Sequence, residues 1–226
     1  MTTGPAPGEV YSFGYTDTLR SGKVLMDEGY EPLDGDWAKV QIADLTDDGG
    51  AMPLGPQINI GRPVDPTHVP TTFRYKAPRH QGLRDVMPFL RGTTLVSPAF
   101  RDLVERFEPG VHQFLPVSML RKDTPLGDMF LMIIAARIDG LNHALCAPPR
   151  GDRRVYARQI GSPWRMVFDP ERIAGHHLWL EKYLGYFFIS GALLAACEQA
   201  KIEGLRFGRP QEVVPQTIRA RQTPDP

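Results

Sequence analysis

Two adjacent histidines and a nearby glutamate are the best candidates for acid–base or metal chemistry in this sequence. His176 and His177 are followed by Glu181, and His177 and Glu181 would share one face if the segment is helical, because positions i and i+4 are neighbours on a helix. An imidazole beside a carboxylate can act as a general base or supply half of a metal site. No third ligand stands at a supporting spacing, and the same pair is also an ordinary helix-stabilising contact. A small hydrolase or transferase that uses these three residues is therefore the alternative to a non-enzymatic function.

The sequence motifs of common catalytic and nucleotide-binding sites are missing. The chain contains no GxxxxGK[ST] phosphate-binding loop, no GxGxxG fingerprint, no HExxH zinc motif and no GxSxG nucleophile turn. Cys146 and Cys197 lie far apart and lack a CxxC spacing, so we expect buried thiols rather than a redox pair or a zinc site. The sequence therefore predicts no metal, no cofactor and no enzymatic activity.

Acidic residues are concentrated near the N-terminus. Residues 27–48 carry eight carboxylates and one lysine, although the whole chain has 26 Asp plus Glu and 26 Lys plus Arg. The order of carboxylates and glycine differs from that of an EF-hand calcium loop. Two interpretations remain open: an ordinary solvated face, or a docking surface that attracts a basic partner by complementary charge.

A second charged stretch, between Arg150 and Arg165, is basic. It could contact phosphate or nucleic acid, or it could form a solvated or internally paired loop. The overall balance of charge argues against a general nucleic-acid binder, because such proteins take much of their affinity from an excess of Lys and Arg. We therefore expect no nucleic-acid partner, and steeply salt-dependent binding would be the sign of one.

A capped helix stands out among the elements that must position these residues. Residues 94–96 predict a short strand, Ser97 a helix N-cap and Pro98 the first helical position. Apolar residues then follow on one helix face, and Pro109 with Gly110 ends the helix. The sequence thus predicts a strand followed directly by a helix of about ten residues.

A similar unit occurs near the C-terminus. Residues 188–198 align with residues 95–105 without a gap, which places Ser190 over Ser97, and after one inserted residue Gly204 falls on Gly110. Both segments have the pattern of strand, capped helix and strand. We predict that the chain repeats this unit; the alternative is a chance likeness of two ordinary capped helices.

The remaining strand candidates are less regular. Residues 111–119 and 128–136 predict two strands joined by a turn at residues 122–127. Residues 37–42 predict one short strand inside the acidic region. Prolines recur through residues 51–80, so irregular structure is expected there.

Composition is that of a globular protein with many turns. The 226 residues are 42% hydrophobic and 23% charged, and Gly and Pro number 22 each. The pattern predicts an α+β fold: a mixed sheet with packed helices, a Pro/Gly-rich irregular N-terminal part and two strand–helix–strand units in the C-terminal part. We divide the chain into an acidic N-terminal region (residues 1–90), an α/β domain (residues 91–214) and a flexible tail (residues 215–226).

Membrane and secretion signals are not found in the sequence. No stretch approaches the roughly 20 apolar residues of a membrane span. The first residues also lack the charged and apolar regions of a secretory signal. We therefore expect a cytoplasmic protein.

Three ordered sequence blocks resemble a known family. Residues 95–117 begin with Leu-Val-Ser-Pro-Ala-Phe, a short Ile138-Asp139 block follows, and residues 188–207 run from Phe-Ile-Ser-Gly to Gly-Leu-Arg-Phe. This set resembles the immunity-protein family of bacterial polymorphic toxin systems, whose type member is myxobacterial and which was first catalogued as a domain of unknown function. The resemblance covers about residues 90–210. The positions that match its pattern are Ser97, Gly110, Phe114, Pro116, Asp139, Ser190, Gly204 and Phe207.

The resemblance implies a cytoplasmic antidote that binds a cognate toxin or effector protein and blocks it. It supplies no catalytic residues, and the matching positions are mostly structural, with Asp139 the exception that lacks an obvious packing role. An antidote must distinguish its own toxin from related ones, and charge on irregular segments can vary without disturbing a core. We expect these charges to be exposed and their reversal to leave the melting temperature nearly unchanged. The candidate partner-binding residues are therefore Asp34, Asp36, Asp44, Asp47 and Asp48.

Overall fold

Short strands dominate the structure, as the many glycines and prolines suggest. The computed structural model describes residues 5–6, 8–15, 29–50, 58–76, 82–146 and 165–215. The strands are β1 (Val10–Tyr15), β2 (Tyr30–Pro32), β3 (Thr72–Tyr75), β4 (Val86–Pro88), β5 (Thr94–Val96), β6 (Gln113–Arg121), β7 (Thr124–Ile133), β8 (Arg137–Ile138), β9 (Val167–Phe168), β10 (Leu178–Glu181), β11 (Phe187–Ser190), β12 (Leu205–Phe207) and β13 (Glu212–Val213). The helices are α1 (Pro98–Phe107), α2 (Pro170–Ile173) and α3 (Gly191–Gln199).

The strands form mixed sheets, which confirms the predicted α+β class. The larger sheet has the order β2-β3-β6-β7-β5-β4 and the second has the order β12-β1-β11-β10-β8, while β13 pairs with β9. Three pairs are parallel, β3 with β6, β10 with β8 and β13 with β9; the other pairs are antiparallel. Strands from the N-terminal region enter both large sheets, because β1 pairs with β11 and β3 pairs with β6. Among the described residues, no helix is long and apolar enough to cross a membrane.

Both predicted helix caps are present. The Ser97 hydroxyl accepts a hydrogen bond from the Phe100 amide at 3.2 Å, and Pro98 occupies the first turn of α1. The Ser190 hydroxyl accepts from the Leu193 amide at 3.1 Å and begins α3 in the same way. These bonds satisfy amide groups that the first turn of a helix otherwise leaves without a partner.

The predicted repeat is confirmed by the topology. β5 and β6 are both antiparallel to β7, which lies between them, and α1 connects them. In the same way β11 and β12 are both antiparallel to β1, which lies between them, and α3 connects them. Each unit is therefore a strand–helix–strand crossover with one antiparallel strand inserted between its two parallel strands.

The likeness of the two units extends beyond the predicted segments. β4 pairs with β5 and β10 pairs with β11 in matching register. β3 runs parallel to β6, and β9 runs parallel to β13, the continuation of β12. Phe114 and Phe207 each stand seventeen positions after the cap serine and face the inserted strand. We call β3–β7 with α1 the first copy, and β9–β13 with α3 and β1 the second copy.

The inserted strand has a different place in the chain in each copy. In the first copy it is β7, which follows β6 directly through a tight hairpin. In the second copy it is β1, which precedes every other element. The order of elements in the second copy is therefore a circular permutation of the order in the first. Its inserted strand, β1, comes from the beginning of the described chain, and the neighbouring strand β12 comes from near its end.

Three apolar clusters form layers around the two large sheets. The central cluster joins α1 and α3 to the two large sheets. It contains Phe100, Leu103, Val104, Leu193 and Ile189. A second cluster lies on the other face of the six-stranded sheet and a third on the other face of the five-stranded sheet. Successive strand residues enter different clusters because side chains alternate across a sheet. Burying each large side chain of α1 contributes roughly 1.5–3 kcal/mol, which holds this short helix in place.

Two local predictions were wrong. Residues 37–42 form turns rather than a strand, and only Ile42 makes an isolated bridge, with Val64. The reason is local: Asp36 accepts the Ala38 amide with its side chain at 3.0 Å and the Lys39 amide with its carbonyl at 3.0 Å, which closes a turn. The turn predicted at residues 122–127 is also shorter, since β7 already begins at Thr124.

Candidate partner-binding site

The segment that carries the paired histidines is a strand, not a helix. Leu178–Glu181 forms β10 and pairs with β11. Residues four apart in a strand are separated by about 13 Å, so His177 and Glu181 do not form the expected pair on one helix face. The segment forms a strand because β11 lies beside it and supplies backbone hydrogen-bond partners. The local sequence does not reveal this neighbour.

His177 holds the cap serine of the second copy. Its Nδ1 atom lies 2.7 Å from the Ser190 hydroxyl, and its carbonyl accepts the Ser190 amide at 2.8 Å. In the first copy Asp85 has the same place: its carboxylate lies 2.6 Å from the Ser97 hydroxyl and its carbonyl accepts the Ser97 amide at 2.8 Å. The equivalence gives His177 a structural role that the sequence alone did not indicate.

His176 binds a different carboxylate, Glu108, at the end of α1. The Glu108 carboxylate is almost fully buried and lies 2.9 Å from His176 Nδ1 and 3.0 Å from His112 Nε2. It also accepts the Leu178 amide at 2.8 Å. Burial alone would raise the pKa of Glu108, but hydrogen bonds from His112 and His176 outweigh it and lower the pKa to about 2. This carboxylate ties the first copy to β10 of the second.

Glu181 lies in a third environment. It is completely buried and accepts the Gly140 amide at 2.7 Å and the Tyr183 amide at 3.2 Å. Burial raises its pKa to about 8, against the effect of these two bonds. His176, His177 and Glu181 therefore have three separate sets of partners, and the catalytic cluster expected of the alternative function is not assembled.

Asp34 and Asp36 shape the first part of residues 27–48, which we call the acidic segment. Asp34 accepts the Thr71 and Thr72 amides at 2.8 and 3.0 Å and the Thr71 hydroxyl at 2.6 Å. These bonds outweigh the effect of burial and lower the pKa of Asp34. Asp36 closes its turn and forms an exposed ion pair with Lys39 at 3.3 Å. Asp34 is thus a structural residue that fixes the chain next to β3.

Asp48 is the centre of a partly buried ion network. Its carboxylate lies 2.7 Å from Arg137 Nε and 3.4 Å from Arg62 Nη2, and its carbonyl accepts Lys182 Nζ at 2.8 Å. The side chain of Arg137 is only 1% exposed. Asp44 forms a further ion pair with Arg62. Asp34 is exposed, as expected, and Asp48 is partly buried, but both have partners within the fold, so we expect their reversal to be less neutral than that of Asp47.

Residues 44–50, which we call the acidic loop, present what remains of this charge to solvent. Asp47 is exposed and the Asp44 side chain is about half exposed. Three aspartate-stabilised turns shape the loop, from Asp44 to the Thr46 amide, Asp47 to the Gly49 amide and Asp48 to the Gly50 amide, each at 2.9 Å. These turns hold the loop from within, and its ion pairs with Arg62 and Arg137 hold it from beneath.

The remaining sequence predictions concern the basic stretch, the two cysteines and metal binding. Most of the basic stretch lies outside the described residues; Arg165, at its end, pairs with Glu212 at 2.8 Å. Cys146 and Cys197 are both buried thiols, as expected, and burial raises the pKa of Cys197 to about 12. Within the part of the chain that the structure describes, no group of three His, Cys, Asp or Glu residues could hold a metal ion.

Comparison with protein families confirms the resemblance. The model of an immunity protein family, Imm11, matches residues 22–212. The chain belongs to the Imm11 immunity protein family. A search of curated proteins found no match. The Imm11 match begins at residue 22, well before residue 90, where the motif resemblance begins, and so it includes the acidic residues 27–48.

The positions that carry the Imm11 resemblance are structural in this chain. Gly110 and Gly204 follow the two helices with φ of 69° and 95°, a conformation that favours glycine. Asp139, which lacked an obvious role, lies 2.7 Å from His143 Nε2 and 2.6 Å from Arg172 Nη1. It thereby joins the segment after β8 to α2.

Proposed function

We propose that this Imm11 protein neutralises a cognate bacterial toxin by binding it in a stoichiometric complex in the cytoplasm. The family match is the observation that carries the proposal. The separate partners of His176, His177 and Glu181 support a binding function, because a catalyst needs its acid, base and substrate pocket in one place. An antidote of this kind needs a complementary surface and no reaction.

The acidic segment supplies the proposed docking face. Asp36, Asp44 and Asp47 are at least partly exposed and contact the toxin, while the bonds of Asp34 to Thr71 and the ion pair of Asp48 with Arg137 hold the segment against the rest of the fold. Carboxylates on a rigid surface accelerate encounter with a basic partner and disfavour partners of the wrong charge. The toxin therefore presents a basic face to the acidic segment.

Protection of cells tests the function. The reading frame beside this gene, which the family resemblance implies to be toxin-like, is expressed from an inducible promoter in a bacterial host, with and without the Imm11 protein. We expect growth to be restored and the two purified proteins to form a one-to-one complex in light scattering. Growth that is not restored, with no complex formed, contradicts the proposal. Protection at a small fraction of the toxin concentration would instead indicate a catalytic antidote.

Charge reversal tests the docking face. Asp36→Lys combined with Asp47→Lys should slow association with the toxin and weaken its dependence on salt. The double change also removes the acceptors of the Ala38 and Gly49 amides, so we expect a small fall in melting temperature without loss of the fold. The matched control is Asp123→Lys, since Asp123 is 96% exposed at the β6–β7 turn. Association that is indifferent to the double reversal places the interface elsewhere.

A further inference from the structure

We infer that the toxin docks on the surface formed by the acidic loop and the adjoining β10–β11 turn, where Leu45 and Tyr186 serve as apolar anchors. The partner surface that fits is a basic face with an apolar recess. This inference rests on the proposed function and deepens it, because it names the residues that carry affinity as well as the charges that steer association.

Leu45 and Tyr186 are the most exposed large apolar side chains of the described residues. Their exposed fractions are 63% and 64%, compared with about 40% for the next two, Leu33 and Phe207. Binding energy at protein interfaces is concentrated in a few large side chains that insert into the partner, with Tyr among the most frequent. Tyr186 meets this description, and Leu45 adds exposed apolar area on the neighbouring loop.

The two loops adjoin each other. Lys182, the first residue of the β10–β11 turn, donates from Nζ to the carbonyl of Asp48 at 2.8 Å. A Cβ atom added to Gly50 would lie 3.0 Å from the Lys182 carbonyl, so the backbones are in close approach. Arg137, paired with Leu180 of β10, binds the Asp48 carboxylate from below. The acidic loop is thus fastened to the strand that leads into the Tyr186 turn.

The acidic loop needs no ordering when it binds. Its three aspartate-stabilised turns and the bond from Arg62 Nη2 to the Thr46 carbonyl at 3.2 Å fix the backbone on both sides of Leu45. A loop that is already in one conformation loses little entropy on association, so more of the contact energy appears as affinity.

In the first copy, the position equivalent to Tyr186 is covered by another segment of the chain. Thr94 and Phe187 occupy equivalent places in the two hairpins, so Thr93 is the counterpart of Tyr186. Thr93 is completely buried, and the turn around it is covered: Arg91 donates to the Trp37 carbonyl at 2.9 Å and Asn59 donates to the Gly92 carbonyl. The hairpin of the first copy is thus covered by another segment, whereas Tyr186 in the second copy stands in solvent.

Charge specifies the chemistry of the partner. The carboxylates of Asp44 and Asp47 face outward, while the cations that balance the loop, Arg62 and Arg137, lie beneath it with side chains 18% and 1% exposed. An approaching protein therefore meets negative charge on the loop that carries Leu45, beside the turn that carries Tyr186. A toxin face with Lys or Arg around an apolar recess complements this arrangement.

Single truncations test the anchors. The probe is the product of the toxin-like reading frame beside this gene, inactivated by mutation and immobilised on a sensor surface. Tyr186→Ala and Leu45→Ser should each weaken binding about tenfold or more, mainly through faster dissociation. The control is Phe207→Ala, which removes an exposed aromatic side chain from β12, and it should leave binding within about twofold. Melting temperatures establish that each variant is folded.

The outcomes separate this inference from the proposed function. If wild-type protein neither binds nor protects, the proposed function fails and the inference fails with it. If wild-type protein binds and protects while Tyr186→Ala and Leu45→Ser retain full affinity, only the inference is overturned. A loss of affinity in Phe207→Ala that equals the loss in the anchor variants also overturns it, because the anchors then have no special role.

Discussion

At the scale of single residues, buried carboxylates and histidines connect elements that are distant in the chain, including elements of the two copies. Glu108 joins the end of α1 to His112, His176 and the start of β10. His177 orients the cap of α3. These groups have perturbed pKa values because they are buried and hydrogen bonded, and perturbed values occur in structural networks as well as in active sites.

His177 should make stability depend on pH between about 7.5 and 5.5. Burial lowers its pKa below the ordinary value, although Glu108 opposes this effect. The unfolded chain therefore binds the proton more readily, so the contribution of His177 is complete above the unfolded pKa and is lost as pH falls below it. We expect the urea midpoint of wild type to fall more between pH 7.5 and 5.5 than that of His177→Gln, which keeps an acceptor for Ser190.

The exposed His68 provides the control for that comparison. His68→Gln makes the same substitution at an exposed site, and its urea midpoints are measured over the same pH range. The carboxylate of Glu108 does not interfere in this window, since its pKa of about 2 places its own loss of stability below the ordinary carboxyl pKa. An identical pH dependence in His177→Gln and wild type would contradict the prediction.

Asp48→Asn should lower the free energy of unfolding by about 2 kcal/mol or more, because it leaves the buried Arg137 guanidinium without its counter-charge. Asn preserves the size of the side chain, so the change tests the charge. Asp47→Asn, one residue away and exposed, should change it by no more than about 0.5 kcal/mol. Urea denaturation of both variants measures the difference, and equal losses would show that the ion network is not the source of stability.

At the scale of elements, short-range signals define the two helices while pairing partners define the strands. Ser97 and Ser190 begin helices because each offers an oxygen to an amide three residues later. Residues 37–42 fail to form a strand because Asp36 closes a turn there. Residues 178–181 become a strand because β11 lies beside them.

Removing a cap serine should destabilise the protein by a similar amount in each copy. Ser97→Ala and Ser190→Ala should each cost about 1 kcal/mol, since an amide of the first helical turn loses its acceptor. Each change also removes the hydroxyl partner of Asp85 or His177, and Ser190 is the more buried serine, so its loss should be somewhat the larger. The control is Ser118→Ala on the exposed face of β6. Guanidinium unfolding midpoints that do not differ from that control would contradict the role of the caps.

At the scale of the whole molecule, one architectural unit is used twice and the copies are packed together through their helices. α1 packs against α3 in the central cluster. The copies also meet at the carboxylate of Asp85, which holds Ser97 in the first copy and accepts the Glu203 amide at 2.9 Å from the second. Val86 continues this junction by donating to the Glu203 carbonyl at 3.0 Å.

Two glycines in equivalent positions allow the junction to be tested. Gly110 and Gly204 both have positive φ, so alanine at either position carries backbone strain. Nothing lies within 4 Å of a Cβ at Gly110, whereas a Cβ at Gly204 would stand 1.9 Å from the Val86 carbonyl oxygen. Gly204→Ala should therefore lower the free energy of unfolding by about 1–3 kcal/mol more than Gly110→Ala. Equal losses in thermal unfolding would show that the copies do not meet closely at this point.

The sequence by itself determined the features that depend on neighbouring residues. The capped helices, the apolar face of α1, the β6–β7 hairpin and the repeat of strand, helix and strand all follow from caps, turn residues and periodicity within about 20 positions. The residue types of the three motif blocks were also sufficient to indicate the family that the Imm11 match confirms.

Only the tertiary structure decided which distant residues become partners. Glu108 meets His176, Asp48 meets Arg137, and β1 enters a sheet formed by the C-terminal strands. No local pattern encodes such pairs, because a side chain's partner across the fold depends on how the sheets and helices pack, and not on its spacing along the chain. For the same reason the sequence could place five aspartates in one acidic segment but could not separate those that hold the fold from those that face solvent.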